Sequence, residues 1–146
     1  MTGVQTCALP IFPVDGSEYG SKAADVAIEI ARKFNSKIAA VHVLEEFSLN
    51  SYDSEEDSGD ELLGKITDKA SKAGVDVVEH LLTADPLRDM KFVIDQTRAD
   101  LVVIHAHGAN NNRFVSFDKN CVSDTQIGSV SERLLRTSDV PVLLVK

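Results

Sequence analysis

The feature that most constrains this fold is the alternation of short apolar runs with longer amphipathic segments along the chain. Five runs have the length of strands: Ile11–Val14, Lys37–Leu44, Val75–Leu82, Leu101–Ile104 and Val140–Val145. A run such as KIAAVHVL is nearly all apolar, which is typical of a strand that is covered on both faces. The segments between the runs are long enough for right-handed crossover connections. The pattern predicts an α/β fold: a five-stranded parallel, doubly wound (Rossmann-like) α/β/α sandwich.

Helical spacing and end signals place four helices between these strands. The second is predicted over Glu61–Ala73 and ends at Gly74, where glycine suits a helix terminus. Asp85 and Pro86 predict the N-cap and first residue of the third helix, and the fourth is predicted from Ile127 to Leu135. The first helix is expected to bury these side chains: Ala23, Val26, Ala27, Ile30, Ala31 and Phe34. For the second they are Leu62, Leu63, Ile66, Ala70 and Ala73, and for the third Leu87, Met90, Val93, Ile94 and Thr97.

The charge balance argues against two broad classes of partner. The 146 residues include 23 acidic and 15 basic side chains, which gives a formal net charge of -8. Nucleic acids and anionic membranes are bound by basic surfaces, and no apolar run approaches the roughly 20 residues that span a bilayer. We therefore expect no nucleic acid and no membrane as partners. The two cysteines, Cys7 and Cys121, are too few for a disulfide framework and favour a cytoplasmic location.

The sequence predicts no metal site. Eight acids and no base fall within Glu45–Glu61, which is interpreted as a solvated loop because the spacing and glycine of a calcium-binding loop are absent. The four histidines do not combine with cysteines or carboxylates at the spacing of metal ligands.

The segment Met1–Ile11 differs in character from the rest of the chain. It contains no charged side chain and fits neither a helical nor a strand period well. It resembles the translation of a sequencing-library adapter, and a short native arm is the alternative. We therefore predict a non-native segment over 1–11 and a single domain over 12–146.

A doubly wound sheet binds its ligands outside the carboxyl ends of its strands, near the point where the strand order switches. The residues to weigh are therefore those that follow Val14, Leu44 and Ile104. Common catalytic and phosphate-binding signatures (G-x-G-x-x-G, G-x-x-x-x-G-K-[ST], G-x-S-x-G) are absent. Nothing in the sequence presents a general base, a nucleophile or a metal cluster, so the chain is not expected to be an enzyme. Slow ATP hydrolysis is the alternative activity, and His107 is the only candidate catalytic residue for it.

Several segments together resemble the universal stress protein family. They are PVDGSE (13–18), AVHVLEE (40–46), ADP (84–86), ADLVVIHAHG (99–108) and, most specific of all, GSVSERLLRTSDVPVLLVK (128–146). The resemblance covers Phe12–Lys146. It implies a small cytoplasmic stress-response module, and it implies a homodimer that forms by pairing of the last strand, Val140–Lys146.

The resemblance also implies a pocket for ATP or another adenine nucleotide, with Mg²⁺. Members that bind nucleotides carry a motif G-x-x-G, nine residues and then G-[ST] after the fourth strand. Carried over, its glycines and turn would let backbone amides approach the phosphates. The residues implied are Asp15 and Val43 toward the adenosine, and Gly108, Gly128, Ser129 and Val130 toward the ribose and phosphates.

The motif departs from the family pattern in two places. His105 stands where the first glycine is expected, and its side chain would occupy space that the nucleotide uses. Nineteen residues, Ala109–Ile127, separate the two later glycines where the family has nine; they form either a surface loop or a remodelled lid. The alternative function is therefore a member that binds no nucleotide and acts through dimerisation and protein–protein interaction. In that case Asp15 and Ser129 would simply cap backbone amides.

Overall fold

The computed structural model describes residues 10–14, 18–45, 52–106 and 127–146. Within them, strands and helices alternate in this order: β1 Pro10–Val14, α1 Glu18–Phe34, β2 Ile38–Glu45, α2 Tyr52–Lys72, β3 Val77–Ala84, α3 Pro86–Thr97, β4 Leu101–His105, α4 Ser129–Thr137 and β5 Val142–Val145. Every pairing between these strands is parallel. The α/β fold and the parallel sheet predicted from the alternation are confirmed.

The strands lie side by side in the order β3-β2-β1-β4-β5. From β1 the chain adds β2 and β3 on one side, and it then returns to place β4 and β5 on the other. The direction of winding therefore reverses between β1 and β4. Ligands of such sheets bind at the carboxyl ends of the strands beside this reversal. In this chain that place is marked by Val14 and His105, the last residues of β1 and β4.

Alternate residues of the central strands pack into two separate cores on opposite faces of the sheet. In β4, Val103 packs with α1 and α2, whereas Val102 and Ile104 pack with α3 and α4. In β2, Ala40 belongs to the first core and Ala39 to the second. This alternation follows from the two-residue repeat of a strand. It explains why the central runs are apolar throughout, since both faces are covered.

β1 includes two residues of the predicted non-native segment. Pro10 pairs with Leu101, and Ile11 pairs with Val102 on one side and with Ala39 on the other. Proline is tolerated at the first position of a strand, where it need not donate to the ladder. Residues 1–9 lie outside the described residues, and the adapter origin of the segment stays a prediction.

The second helix begins nine residues before its predicted start at Glu61, so the prediction of a loop is wrong from Tyr52 onward. Asp53, Glu55, Glu56 and Asp57 fall in the first two turns of α2, where the helix dipole favours acidic residues. A run of acids at a helix start therefore resembles a solvated loop when only its composition is considered. Residues 46–51 of the predicted loop lie outside the described residues.

The helix faces predicted from periodicity are largely buried, with two exceptions at helix ends. Phe34 is 73% exposed and Leu87 is 43% exposed, so their predicted burial is wrong. Phe34 is the last residue of α1, and Leu87 lies in the first turn of α3 beside a groove that opens to solvent. Periodicity reports the direction of a side chain around the helix axis. It does not report whether another element covers that end of the helix.

Candidate functional site

The candidate site is the carboxyl edge of the sheet where β1 and β4 lie side by side. Asp15 directly follows β1, and Gly108 lies three residues beyond the end of β4. Both predicted site residues fall outside the described residues, as does most of the Ala109–Ile127 segment. Four of the predicted residues are described: Val43, Gly128, Ser129 and Val130.

The first turn of α4 is hydrogen-bonded to the end of β4. The Gly128 N–H donates to the carbonyl of Ala106 over 2.7 Å, and the Ala106 N–H donates to the carbonyl of Val145 in β5 over 2.8 Å. The Ser131 hydroxyl donates to the carbonyl of His105 over 2.7 Å, and this bond is buried. The start of α4 is thus attached at two points to the strand that borders the reversal of the sheet.

Gly128 is the N-cap of α4, and within the part of the chain that the structure describes no side chain caps this helix. The N–H of Glu132 donates to the Gly128 carbonyl, which begins the helical ladder. The three preceding amides, at 129, 130 and 131, have no acceptor within the helix because the ladder begins only at the fourth residue. Ser129 is the first helical residue and is exposed, so the alternative reading of Ser129 as the N-cap is wrong.

The start of α3, at the same edge of the sheet, is different. The carboxylate of Asp85 accepts hydrogen bonds from the N–H groups of Leu87 (2.9 Å) and Arg88 (3.3 Å), which confirms Asp85 as an N-cap. The Asp85 N–H in turn donates to the carboxylate of Asp89 over 3.0 Å. N–H groups at the start of α3 therefore donate to the carboxylates of Asp85 and Asp89. Of these two helix starts, that of α4 has no acidic or hydroxyl side chain of the described residues on its first amides.

At the start of α3, an arginine lowers the pKa of a neighbouring carboxyl group. Arg88 binds both carboxylate oxygens of Asp89, at 2.7 and 2.8 Å. This hydrogen bonding, and then the N–H of Asp85, lowers the pKa of Asp89 from 3.8 to about 2. The Asp89 carboxylate is therefore ionised at neutral pH, and it accepts hydrogen bonds from Arg88 and from the N–H of Asp85.

Val43 and Val130 are half-buried and pack against the same core, on the α3 and α4 face of the sheet. Val14 is paired with His42, so Val43 lies one position beyond the last described residue of β1. The fold therefore brings Val43 of β2 and Val130 of α4 to one face, although 87 positions separate them in the sequence. That both contribute to one binding site stays a prediction.

His105 is 6% exposed. It ends β4 two residues after Val103, so the alternation of the strand places it on the face that α1 covers. Its carbonyl accepts the hydrogen bond from the Ser131 hydroxyl that attaches α4 to β4. The glycine position of the motif is thus filled by a buried imidazole at a strand end.

Ser131 is 3% exposed and was not among the predicted site residues. It lies three residues before Leu134 and therefore on the same buried face of α4. A polar residue within the apolar face of a helix indicates a hydrogen bond to a neighbouring element, because buried hydroxyls are seldom without partners. The position of this serine on the apolar face of α4 is visible in the sequence and would have identified Ser131.

A groove lies between α3 and α4. It is lined by the apolar side chains of Leu87, Met90 and Val130 and by the cationic side chains of Arg88, Lys91 and Arg133, among others. Lys91 bonds to Asp139 over 2.8 Å and lies 3.6 Å from Asp95, and these acids raise its pKa. The charges of Arg88 and Lys91 are thus already compensated by acids of the same chain.

Two kinds of feature are absent from the described residues. Among them, no cluster of three or more His, Cys, Asp or Glu side chains is arranged to hold a metal ion. None of the described helices combines the length and the apolar character that a membrane crossing requires.

The sequence profile of the Universal stress protein family matches residues 11–146. The chain belongs to the universal stress protein family. This confirms the resemblance inferred from the sequence segments. The matched range begins one residue before the predicted domain boundary at Phe12.

Relatives of known name agree with this assignment. A universal stress protein of Methanocaldococcus jannaschii is 27% identical over 93% of this chain and 80% of its own length. The solved structure of the universal stress protein UspA from Lactobacillus plantarum is 16% identical, with a TM-score of 0.79, and covers 96% of this chain and 99% of that one. A universal stress protein from Archaeoglobus fulgidus, solved in complex with dAMP, is 23% identical with a TM-score of 0.71. The superposition covers 94% of this chain and 98% of that one.

Proposed function

We propose that this universal stress protein binds an adenine nucleotide, ATP with Mg²⁺ or a related adenylate, at the carboxyl edge of β1 and β4. The observation that carries the proposal is the start of α4 at Gly128, which no side chain of the described residues caps and which is attached to the end of β4 at the reversal of the sheet. Amides at a helix start favour anions through both hydrogen bonds and the helix dipole. The phosphates are therefore assigned to the turn formed by Gly128, Ser129 and Val130.

Two further observations support an adenine nucleotide as the ligand. A structural relative from Archaeoglobus fulgidus was solved in complex with dAMP. In this chain Val43 is half-buried beside the end of β1, where an apolar side chain suits one face of a purine base. Asp15 and Gly108 complete the proposed site on the strength of the sequence motif alone.

The proposed activity is binding with a regulatory consequence, in a stress response in the cytoplasm, without catalysis. An acidic chain remains compatible with an anionic ligand because the proposed phosphate contacts are backbone amides. These amides present partial positive charge whatever the net charge of the side chains. A slow hydrolase would instead need a base that activates water, and the sequence offers only His107, outside the described residues.

The decisive experiment introduces a capping side chain at Gly128. In Gly128→Asp, a carboxylate would cap the free amides and repel phosphate, while the backbone at this position (φ -59°, ψ 151°) suits any residue. Isothermal titration with ATP and Mg²⁺ should show at least a tenfold loss of affinity, and the thermal midpoint should be unchanged or higher. Gly128→Asn is the matched control, since it caps without charge and should lose less affinity. Absence of binding by the wild-type protein at millimolar ATP, ADP and AMP would contradict the proposal.

We also propose that the chain forms a homodimer through β5. Among the described strands it pairs only with β4, so it forms an edge of the sheet they build. Leu143 on this strand is 38% exposed, and Leu135 of α4 is 42% exposed. An open edge strand with exposed apolar side chains readily pairs with another chain. Dimerisation is also the basis of the alternative function, in which the protein acts through protein–protein contacts alone.

The opposite edge of the sheet supplies the control for the dimer. Val78 lies on the edge strand β3 and is 44% exposed, closely comparable to Leu143. Leu143→Lys should convert the dimer to a monomer in size-exclusion chromatography with light scattering, and Val78→Lys should leave it dimeric. A monomeric wild-type profile at micromolar and higher concentrations would refute this interface.

A further inference from the structure

A single buried hydroxyl links the first turn of α4 to the end of β4. Ser131 is 3% exposed, and its hydroxyl donates to the carbonyl of His105 over 2.7 Å. The neighbouring carbonyl, of Ala106, accepts from the Gly128 N–H over 2.7 Å. The last two carbonyls at this strand end are therefore both occupied by the start of α4, one through its backbone and one through a side chain.

These two bonds constrain different motions of the turn. The bond from Gly128 fixes where the helix begins, because it involves the backbone of the N-cap. The bond from Ser131 fixes how the helix is rotated about its axis, because Ser131 is two residues, or about 200°, beyond Ser129. With Ser131 facing the strand, Ser129 faces solvent, as its exposure shows, and Val130 packs against the α3 and α4 core.

We propose that Ser131 is the positioning residue of the phosphate-binding turn: it holds the free amides of α4 toward the ligand without touching the ligand itself. This inference rests on the proposed nucleotide function and deepens it. Anion binding by a helix start depends on the direction of a few N–H groups, and hydrogen bonding weakens steeply as they turn away. Loss of the hydroxyl would remove the rotational restraint and leave a buried carbonyl without this donor.

The first test compares nucleotide affinity with stability. Ser131→Ala should weaken ATP binding about three- to tenfold, the effect of one hydrogen bond, when measured by titration well below the thermal midpoint. Ser131→Thr, which keeps the hydroxyl, should restore most of the affinity. Thr97→Val is the matched control: it removes a half-buried hydroxyl bonded to the Ile94 carbonyl (2.9 Å) in α3, away from the turn. That variant should lose stability and keep wild-type affinity. Equal affinity of Ser131→Ala and the wild-type protein would overturn the proposal.

The second test needs no nucleotide and separates the two proposals. Hydrogen exchange in the free protein reads the amides of Gly128 and Glu132, whose bonds define the turn and its attachment. Ser131→Ala should speed exchange at both amides, and Thr97→Val should not. Unchanged exchange in Ser131→Ala would overturn the positioning role whether or not ATP binds. Failure of the wild-type protein to bind nucleotide would instead refute the proposed function, and with it the predicted affinity change.

Discussion

At the scale of single residues, α1 and α2 each end beside a residue in the left-handed conformation. α2 ends in two characteristic bonds: the Gly74 N–H donates to the Ser71 carbonyl, and the Val75 N–H donates to the Ala70 carbonyl. Gly74 has φ 75°, which these bonds require. α1 ends in the same way with Asn35 at φ 52°. The predicted end of α2 at Gly74 is confirmed for this reason.

The left-handed position makes Gly74 sensitive to a side chain. Gly74→Ala should lower the free energy of unfolding by about 1 kcal/mol, since a Cβ strains a residue at positive φ. A Cβ there would meet no other atom within 4 Å, so the loss would report backbone strain alone. Urea unfolding measures it. A gain in stability, as helix propensity alone would predict, would contradict the interpretation.

The reciprocal cap of α3 predicts a dependence on pH. Because the pKa of Asp89 is lowered from 3.8 to about 2 by Arg88 and the Asp85 N–H, its contribution is present in full above pH 3.8. The contribution is lost as the pH falls toward 2. Asp89→Asn should therefore be less stable than the wild-type protein at pH 5, and the difference should shrink between pH 4 and pH 2. A difference that is independent of pH would refute the charged cap.

At the scale of elements, the packing of α2 on β2 depends on a glycine within the helix. A Cβ added to Gly59 would lie 2.7 Å from Cδ2 of His42 and 3.0 Å from Cδ1 of Leu81. The helix thus lies against the imidazole with no space for a methyl group. Gly64, in the same helix, has no atom within 4 Å of such a Cβ.

These two glycines form a matched pair. Gly64→Ala should raise the free energy of unfolding by about 0.5–1 kcal/mol, because alanine is the better helix former. Gly59→Ala should lower it by about 1–3 kcal/mol, because the close contact with His42 outweighs the same propensity gain. Thermal or urea unfolding of the two variants measures these changes in stability. Stabilisation by both substitutions would show that the helix does not lie this close to the strand.

At the scale of the whole molecule, one sheet separates the two cores that the described residues form. Leu63 of α2 belongs to the first core and is 1% exposed; Ile104 of β4 belongs to the second and is 2% exposed. Leu63→Ala and Ile104→Ala should each lower the free energy of unfolding by about 2–5 kcal/mol. Because they share no core, the double variant should show the sum of the two losses within about 0.5 kcal/mol. Marked non-additivity in urea unfolding would contradict the separation of the cores.

The order and type of the elements are predictable from the sequence because local patterns specify both. Lys37–Leu44 predicts β2 to within one residue at each end, since a strand that is covered on both faces is apolar at every position. The predicted strand Val75–Leu82 starts two residues too early, because β3 begins at Val77. Val75 is apolar and buried, but its N–H completes the end of α2. Composition cannot distinguish an apolar residue of a helix end from the first residue of a strand.

The sequence by itself determined the α/β fold, the family and the residue types of the candidate site, because spacing and local motifs carry that information. The Asp85 cap of α3 was predictable from the sequence, whereas the tertiary structure alone decided that α4 begins at Gly128, with no capping side chain among the described residues. It also decided that Ser131 binds the His105 carbonyl across 26 positions of sequence. The physical reason is that a hydrogen bond between distant elements depends on their final orientation. No local pattern of side chains records that orientation, and it exists only once the sheet has brought the two elements together.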